Sequence, residues 1–543
     1  MAGPAASERG APDLEGAAKV VALASSLVTG AARVLTGCAD PDSEQVVAYD
    51  LAHAAAGVRT AEAALEYARH GDTEARIACA FVADVLADLA ARVLGREASW
   101  GATSGWMAPV AEFVSEYRDP SFLASLCGTE GERHLDPDFA LVRETFHRFA
   151  EDQLRPCAEH VHRANDDIPE QIISGLAEMG ALGLSIPEEY GGFATGGESD
   201  YLGMVVATEE LSWGSLGAGG SLITRPEILA RALLAGGTDA QKQKWLPKLA
   251  TGEVMNAVAV TEPDFGSDVA AVITSATPTE GGWLINGVKT WCTFAARAEV
   301  LMLLARTDPD RSKAHRGLSL FVVEKGQSDG RGFVLVQDPA AGSRGDPPGR
   351  MEGRPIDTIG YRGMHSYEIA FENWFVPTEN LIGGETGVGR GFYLQMAGFE
   401  NGRLQTAARA LGLMQAAYEA ALDYAASRVV FGKPIIEYQL TRAKLARMAV
   451  LVQATRQFSY QVARLMAEGE GSLEASMLKA YVCRAAEWVT REAMQVHGGM
   501  GYAEEYGVSR YFVDARVLSI FEGADEVLAL KVVTRRLLER AGA

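Results

Sequence analysis

The stretch NAVAVTEPDFGSDVAAVITSATPTEGGWLINGVKTW, residues 256–291, is where the chain changes period. Asn256 to Thr261, Ile273 to Pro278 and Trp283 to Asn286 are short β-type runs divided by Gly, Pro and Asp turns. Val300 to Arg306, Leu318 to Val323 and Tyr367 to Phe371 continue the pattern, and Asp338 to Arg354 reads as a mobile Gly- and Pro-rich loop. Helical periodicity flanks these runs on both sides. The order helix, strand, helix differs from strand and helix in alternation, which disfavours a Rossmann sheet. An α+β chain is expected: a helical extension and connector over 1–131, a helical domain over 132–254, a small β domain over 255–380 and a helical domain over 381–543.

Upstream, Leu14 to Leu35, Ser43 to Arg69 and Thr73 to Leu94 are Ala-rich and periodic, with Gly71 and Gly95 as helix stops. His53 and His70 stand isolated in them and read as structural. Asp136-Pro137 opens a new helix, with Asp as a cap and Pro tolerated in the first turn. A second helix is expected near Glu170 to Met179. Downstream, Gly387-Val-Gly-Arg-Gly391 has the wrong spacing for a dinucleotide fingerprint and reads as a turn into the first of three long helices.

The 543 residues include 48% hydrophobic and 22% charged, a soluble profile with core enough for a large cofactor. A net charge of -21 argues against nucleic acid or an anionic membrane as partner. The six cysteines form no CxxC pair, so neither a zinc site nor a disulfide framework is expected, and a cytoplasmic location fits. Residues 1–16 lack the order of a signal peptide, and no run approaches a spanning helix.

Candidate chemistry sits in DARVLSIFEGADEV, residues 514–527. Val517, Leu518, Ile520 and Phe521 lead into Glu522, and a carboxylate leaving a packed wall is desolvated, a poorer ion and a better base. Gly523 lets backbone approach a ligand closely. The plainer alternative is an acidic start to the last helix. In Gln495-Val-His-Gly-Gly-Met-Gly501 the Gly pair lets backbone N–H groups reach an anion, or simply ends a helix.

Val260-Thr-Glu-Pro-Asp-Phe-Gly-Ser-Asp268, Ile285-Asn-Gly-Val-Lys-Thr-Trp291, Arg428-Val-Val-Phe-Gly-Lys433, Gln495 to Gly501 and Phe521-Glu-Gly523 together resemble the acyl-CoA dehydrogenase family from about Asp136 to the C-terminus. The resemblance implies a helical domain, a small β-barrel and a C-terminal four-helix bundle, holding FAD. It places Val260, Thr261 and Ser267 on the flavin and the thioester, and Trp291 and Thr293 beside the flavin ring. Arg428, Phe431 and Gln439 would reach the FAD of a neighbouring subunit, and Gln495 and Gly499 its pyrophosphate. Arg403, Gly523 and Ser267 would face the acyl-CoA.

The family carries its base either in the Glu-Gly pair or just before an arginine in a pattern like LERL. Here Phe399-Glu-Asn-Gly-Arg-Leu404 puts Gly402 at that second place, and Glu400 lies two residues early, about 200° around a helix. Glu522 is therefore the candidate base, removing a Cα proton while FAD takes a hydride from Cβ. Electrons would pass to an electron-transfer flavoprotein. Two departures stand out: Phe294 replaces the usual Asn-Gly turn and would narrow the acyl cavity, and Ala524-Asp525 replaces Thr-Ser.

The long extension, Ile223-Thr-Arg-Pro-Glu-Ile228 and residues 398–408 resemble members acting on a short, branched, dicarboxylic acyl-CoA. Arg225 is then the candidate counter-ion for the free carboxylate; its alternatives are a helix cap or a surface pair with Glu227. The extension must bury an apolar face on its own subunit or over the surface where relatives join dimers into tetramers, and the second is expected, leaving a homodimer. Two other functions use the same fold: an oxidase, or a non-catalytic nucleic-acid-binding descendant, for which only Lys531, Arg535, Arg536 and Arg540 form a basic cluster.

Overall fold

The computed structural model describes residues 11–38, 40–328, 332–338 and 347–542. The chain divides into two compact units, the first of Met1–Arg148, Val205–Gly214 and Arg403–Ala543, the second of Phe149–Met204 and Ser215–Gly402. The α+β class holds, with extra helices before a helical, a β and a second helical region.

In the first unit, α1 (Leu14–Thr36) starts at Asp13, whose carboxylate accepts the amide of Gly16. By length and composition α1 is apolar enough to cross a membrane, contrary to the expectation of no such run. Its buried face, including Val20, Leu27 and Leu35, lies instead against α2 (Gln45–Tyr67) and α3 (Asp72–Val93). Of residues 1–16, read as lacking the order of a signal peptide, 1–10 fall outside the described residues.

Helix α2 is packed on several sides, by α1, α3 and helices Gln439–Ala467 and Ser472–His497. Its many alanines follow from this, because close approach from several directions leaves no room for long side chains. At Gly57 a Cβ would already touch the Tyr481 ring at 3.5 Å. The extension thus buries its face on helices of its own chain. A charged cluster fixes the connector: Arg133 pairs with Glu210 (2.5 Å), Arg456 with Glu209 (2.8 Å) and His147 with Glu210 (2.7 Å). The basic residues near the C-terminus also meet acids, Lys531 with Asp42, Arg536 with Glu539 and Arg540 with Glu474.

The second unit is built on an eight-stranded sheet in the order β1-β4-β2-β3-β8-β7-β6, with β5 on β4. The expected runs become β1 (Asn256–Ala259), β2 (Ser275–Thr279), β3 (Gly282–Lys289), β4 (Val300–Arg306), β5 (Leu318–Glu324) and β8 (Ser366–Pro377). Two strands were not expected, β6 (Phe333–Val336) and β7 (Arg350–Ile356). β7 corrects the end of the presumed loop: Arg350 to Arg354 pair along β8 from Glu372 to Glu368, while 339–346 fall outside the described residues. Met302, Leu304, Leu320 and Val322 pack against Trp245, Leu246 and Leu249 of helix Asp239–Thr251, which a Thr238/Gln241 capping box starts.

Candidate active site

Glu522 sits in the turn between helix Gly507–Leu518 and a helical segment opening at Asp525. Two successive residues are left-handed, Glu522 at φ 54° and Gly523 at φ 99°. A non-glycine residue in that region is strained by its own Cβ, and such strain clusters where geometry serves a site. The Glu522 carboxylate keeps Oε2 buried without a hydrogen-bond partner among the described residues.

The turn is gripped from one side by Lys479, only 1% exposed, whose Nζ donates to the carbonyls of Phe521 (2.7 Å) and Gly523 (2.5 Å). Burial pushes this amine below its ordinary value, with Cys483, Glu522 and Asp525 pulling the other way. The guanidinium of fully buried Arg409 lies 5.4 Å from the centre of the Phe521 ring. Arg403 reaches the same helix as Lys479, donating to Ser476 Oγ at 3.0 Å. Sequence reasoning missed Lys479 and Arg409; the available signal was a cation inside each of the apolar runs Met477-Leu-Lys-Ala480 and Ala407-Ala-Arg-Ala-Leu411.

On the other side, Asp525 Oδ2 accepts the Tyr49 hydroxyl (2.5 Å) and faces His53 Nε2 (3.2 Å). His53 is therefore not isolated, and His70 stacks on His134 at 4.1 Å. Burial alone would raise Asp525; the His53 and Tyr49 contacts, with Arg484 nearby, outweigh it and hold the carboxyl below its usual range. Burial likewise pushes His53 below its ordinary value, and because the Asp525 carboxylate can only accept, Nε2 is the ring nitrogen that donates to it.

The first unit also carries Arg428, Phe431, Gln439, Gln495 and Gly499, all exposed. Phe431 is 95% exposed at φ 50°, at the tip of a hairpin of β9 (Val429–Val430) and β10 (Lys433–Pro434).

In the second unit, Val260 gives its carbonyl to Lys289 Nζ (2.8 Å), which pairs with Glu262 (2.9 Å). Glu262 also accepts the amides of Ile273 and Thr274, so a buried ion pair holds the strand-loop junction that carries Thr261 and exposed Ser267. Trp291 is 55% exposed at φ 58°. Behind it Cys292 and Tyr367 exchange backbone bonds, and Thr293 Oγ1 lies 3.1 Å from Ser366 Oγ. Phe294 is buried, 4% exposed at φ 72°, with its amide shared between the carbonyls of Met364 and His365.

Arg225 lies in helix Thr224–Gly236, 5% exposed, with Nε buried and without a hydrogen-bond partner among the described residues. The surface-pair alternative fails: Glu227 is itself buried and bonded by Arg231 (3.0 Å) and Asn401. Where one family base would stand, Gly402 follows Asn401, and Glu400 is half-buried.

Trp291 in the second unit and Phe431 in the first are each an exposed ring on left-handed backbone, a face on which an aromatic ring system stacks, and Arg428, near Phe431 in sequence, offers a phosphate fork. Family models match in order: acyl-CoA dehydrogenase, N-terminal domain, at 136–253, middle domain at 257–374 and C-terminal domain at 389–538. The chain is 45% identical over 415 residues to (2S)-methylsuccinyl-CoA dehydrogenase of Cereibacter sphaeroides, covering 76% of this chain and 71% of that one. Among solved structures it is similar to butyryl-CoA dehydrogenase from Megasphaera elsdenii, at TM-score 0.66 and 31% identity over 75% of this chain and 99% of that one. A chain solved in work on the electron transferring flavoprotein of Acidaminococcus fermentans is similar at TM-score 0.65 and 30% identity, over 76% of this chain and all (100%) of that one. Matched models spanning all three domains and this level of identity lead to one conclusion: the chain belongs to the acyl-CoA dehydrogenase family, whose members typically bind FAD.

Proposed function

We propose that this acyl-CoA dehydrogenase desaturates a short, branched, dicarboxylic acyl thioester, (2S)-methylsuccinyl-CoA to mesaconyl-CoA, with FAD and an electron-transfer flavoprotein as acceptor. The observation that carries it is Glu522, a carboxylate on strained backbone with a buried oxygen left unpartnered. A buried polar atom without a hydrogen bond costs stability unless a ligand meets it. Glu522 takes the Cα proton, and Lys479 fixes the carbonyls on either side of it so that the acid does not swing away. Thr261, Ser267, Trp291 and Thr293 would meet the flavin, and Arg428, Phe431, Gln439, Gln495 and Gly499 would reach the FAD of a neighbouring subunit. When bound, FAD supplies two-electron acceptance.

The substrate reading is supported by the 45% identity to a methylsuccinyl-CoA dehydrogenase and by Arg225. A buried guanidinium with an unsatisfied nitrogen needs an anion, and a substrate carboxylate is one. The acceptor reading is supported by the likeness to the chain solved with electron transferring flavoprotein as its subject.

Glu522→Gln removes the base and keeps the shape. The enzyme should retain FAD and still bind thioester, but lose turnover by at least ~10²; retained activity would place the base elsewhere. Arg225→Ala should reduce methylsuccinyl-CoA turnover far more than butyryl-CoA turnover. A thioester panel in which butyryl-CoA or isovaleryl-CoA is preferred overturns the substrate and leaves the desaturation standing. Oxygen consumption without an added acceptor would favour an oxidase.

A further inference from the structure

The turn that carries Glu522 is held by residues from outside the matched family domains, which begin at residue 136. Tyr49 and His53 lie one turn apart on α2, so both face the same way, and their rings pack at 4.5 Å. Both meet a single oxygen, Oδ2 of Asp525, three residues after Glu522. Asp525 returns its own amide to the carbonyl of Ser519 (3.1 Å), so it closes the loop in which Phe521, Glu522 and Gly523 sit. Ser519 is tied in turn to Glu487. The same helix is fixed below the turn, where Thr534 Oγ1 donates to the carbonyl of Ala48 (2.8 Å).

We propose that Tyr49 and His53 are positioning residues for the base: through Asp525 they hold the turn in the left-handed conformation that presents the Glu522 carboxylate. The extension is then a working part of the active site. This rests on Glu522 being the base. Two left-handed residues in a row do not persist without surroundings that enforce them. Lys479 grips the carbonyls at Phe521 and Gly523, and the α2 pair fixes the downstream end of the loop.

Tyr49→Phe removes one hydroxyl, and His53→Leu removes one donor at similar size. Each should lower kcat about ten- to hundredfold while KM for the thioester changes less than about threefold, because a small displacement of a reacting group costs rate more than binding. His53→Gln keeps an N–H near the Nε2 position and should restore most of kcat. Adding Tyr49→Phe to Asp525→Ala should cost little further, since both remove one interaction. In the full-length FAD-loaded protein, amide exchange over 519–528 should quicken in Tyr49→Phe and His53→Leu. Unchanged kcat and unchanged exchange would overturn the proposal. So would a loss that tracks thermal stability and leaves His53→Gln as impaired as His53→Leu. If Glu522→Gln stays active, the base assignment fails alone, and the exchange measurement still decides whether α2 holds the turn.

Discussion

Burial holds the His53 imidazole below its ordinary value of 6.5, against the pull of Asp525 toward the charged form and alongside repulsion from Arg484 and Arg92. Below about pH 6.5 the unfolded chain takes up a proton at this residue that the folded chain refuses, so stability falls as pH drops toward the folded value. Asp525, held below its usual range, stays ionised over that interval and adds no slope. The melting temperature of His53→Gln should therefore drop less between pH 7.5 and pH 5.5, about one unit either side of 6.5, than that of the natural protein. An equal drop would mean that His53 titrates normally in the fold. Glu522 stands out in sequence as a candidate because an apolar run ends in Glu-Gly and because the family resemblance leaves it as the acid in register. Tyr49, His53 and Asp525 do not, since 472 and 476 positions separate the partners and neither residue type is unusual where it stands. Lys479 was hidden for another reason: a lysine in a periodic helix reads as a solvated face, and only packing shows it buried.

Hairpin β9–β10 turns through Phe431 and Gly432, at φ 50° and 86°, a two-residue turn of the kind that favours Asn-Gly. A phenylalanine there costs roughly 1–2 kcal/mol of backbone strain that Asn largely avoids, and at 95% exposure the ring recovers nothing within its own chain. Phe431→Asn should thus raise the melting temperature of FAD-free protein while lowering FAD retention, read by flavin absorbance after gel filtration. If FAD content is unchanged, the ring has no part in the cofactor site. The elements legible in sequence were those with clean periods: α1 to α3, and β4, whose seven residues are all buried. β6 and β7 were missed because one alternates only weakly and the other carries Arg350, Glu352 and Arg354 with Gly353 and Pro355, a composition that reads as loop. Their pairing with β8 supplies what their side chains do not.

The first unit covers helices Gln439–Ala467 and Ser472–His497 with α2 of the same chain, yet still exposes Phe431, Leu440, Met500 and Tyr502. One helical face is closed by the extension and other apolar groups remain for a second copy, so sedimentation should give a dimer, with a tetramer rejecting that assignment. The sequence order of helix, strand and helix disclosed the α+β class; it could not disclose that the first unit draws on both ends of the chain, because that depends on contacts with no local signature. This interleaving has a consequence during synthesis. At about 5–20 residues per second, α2 leaves the ribosome roughly 20–70 s before the helices that will cover it. In that interval its Ala- and Val-lined faces are open to other nascent chains, so the soluble yield should rise when translation is slowed or chaperone supply is raised.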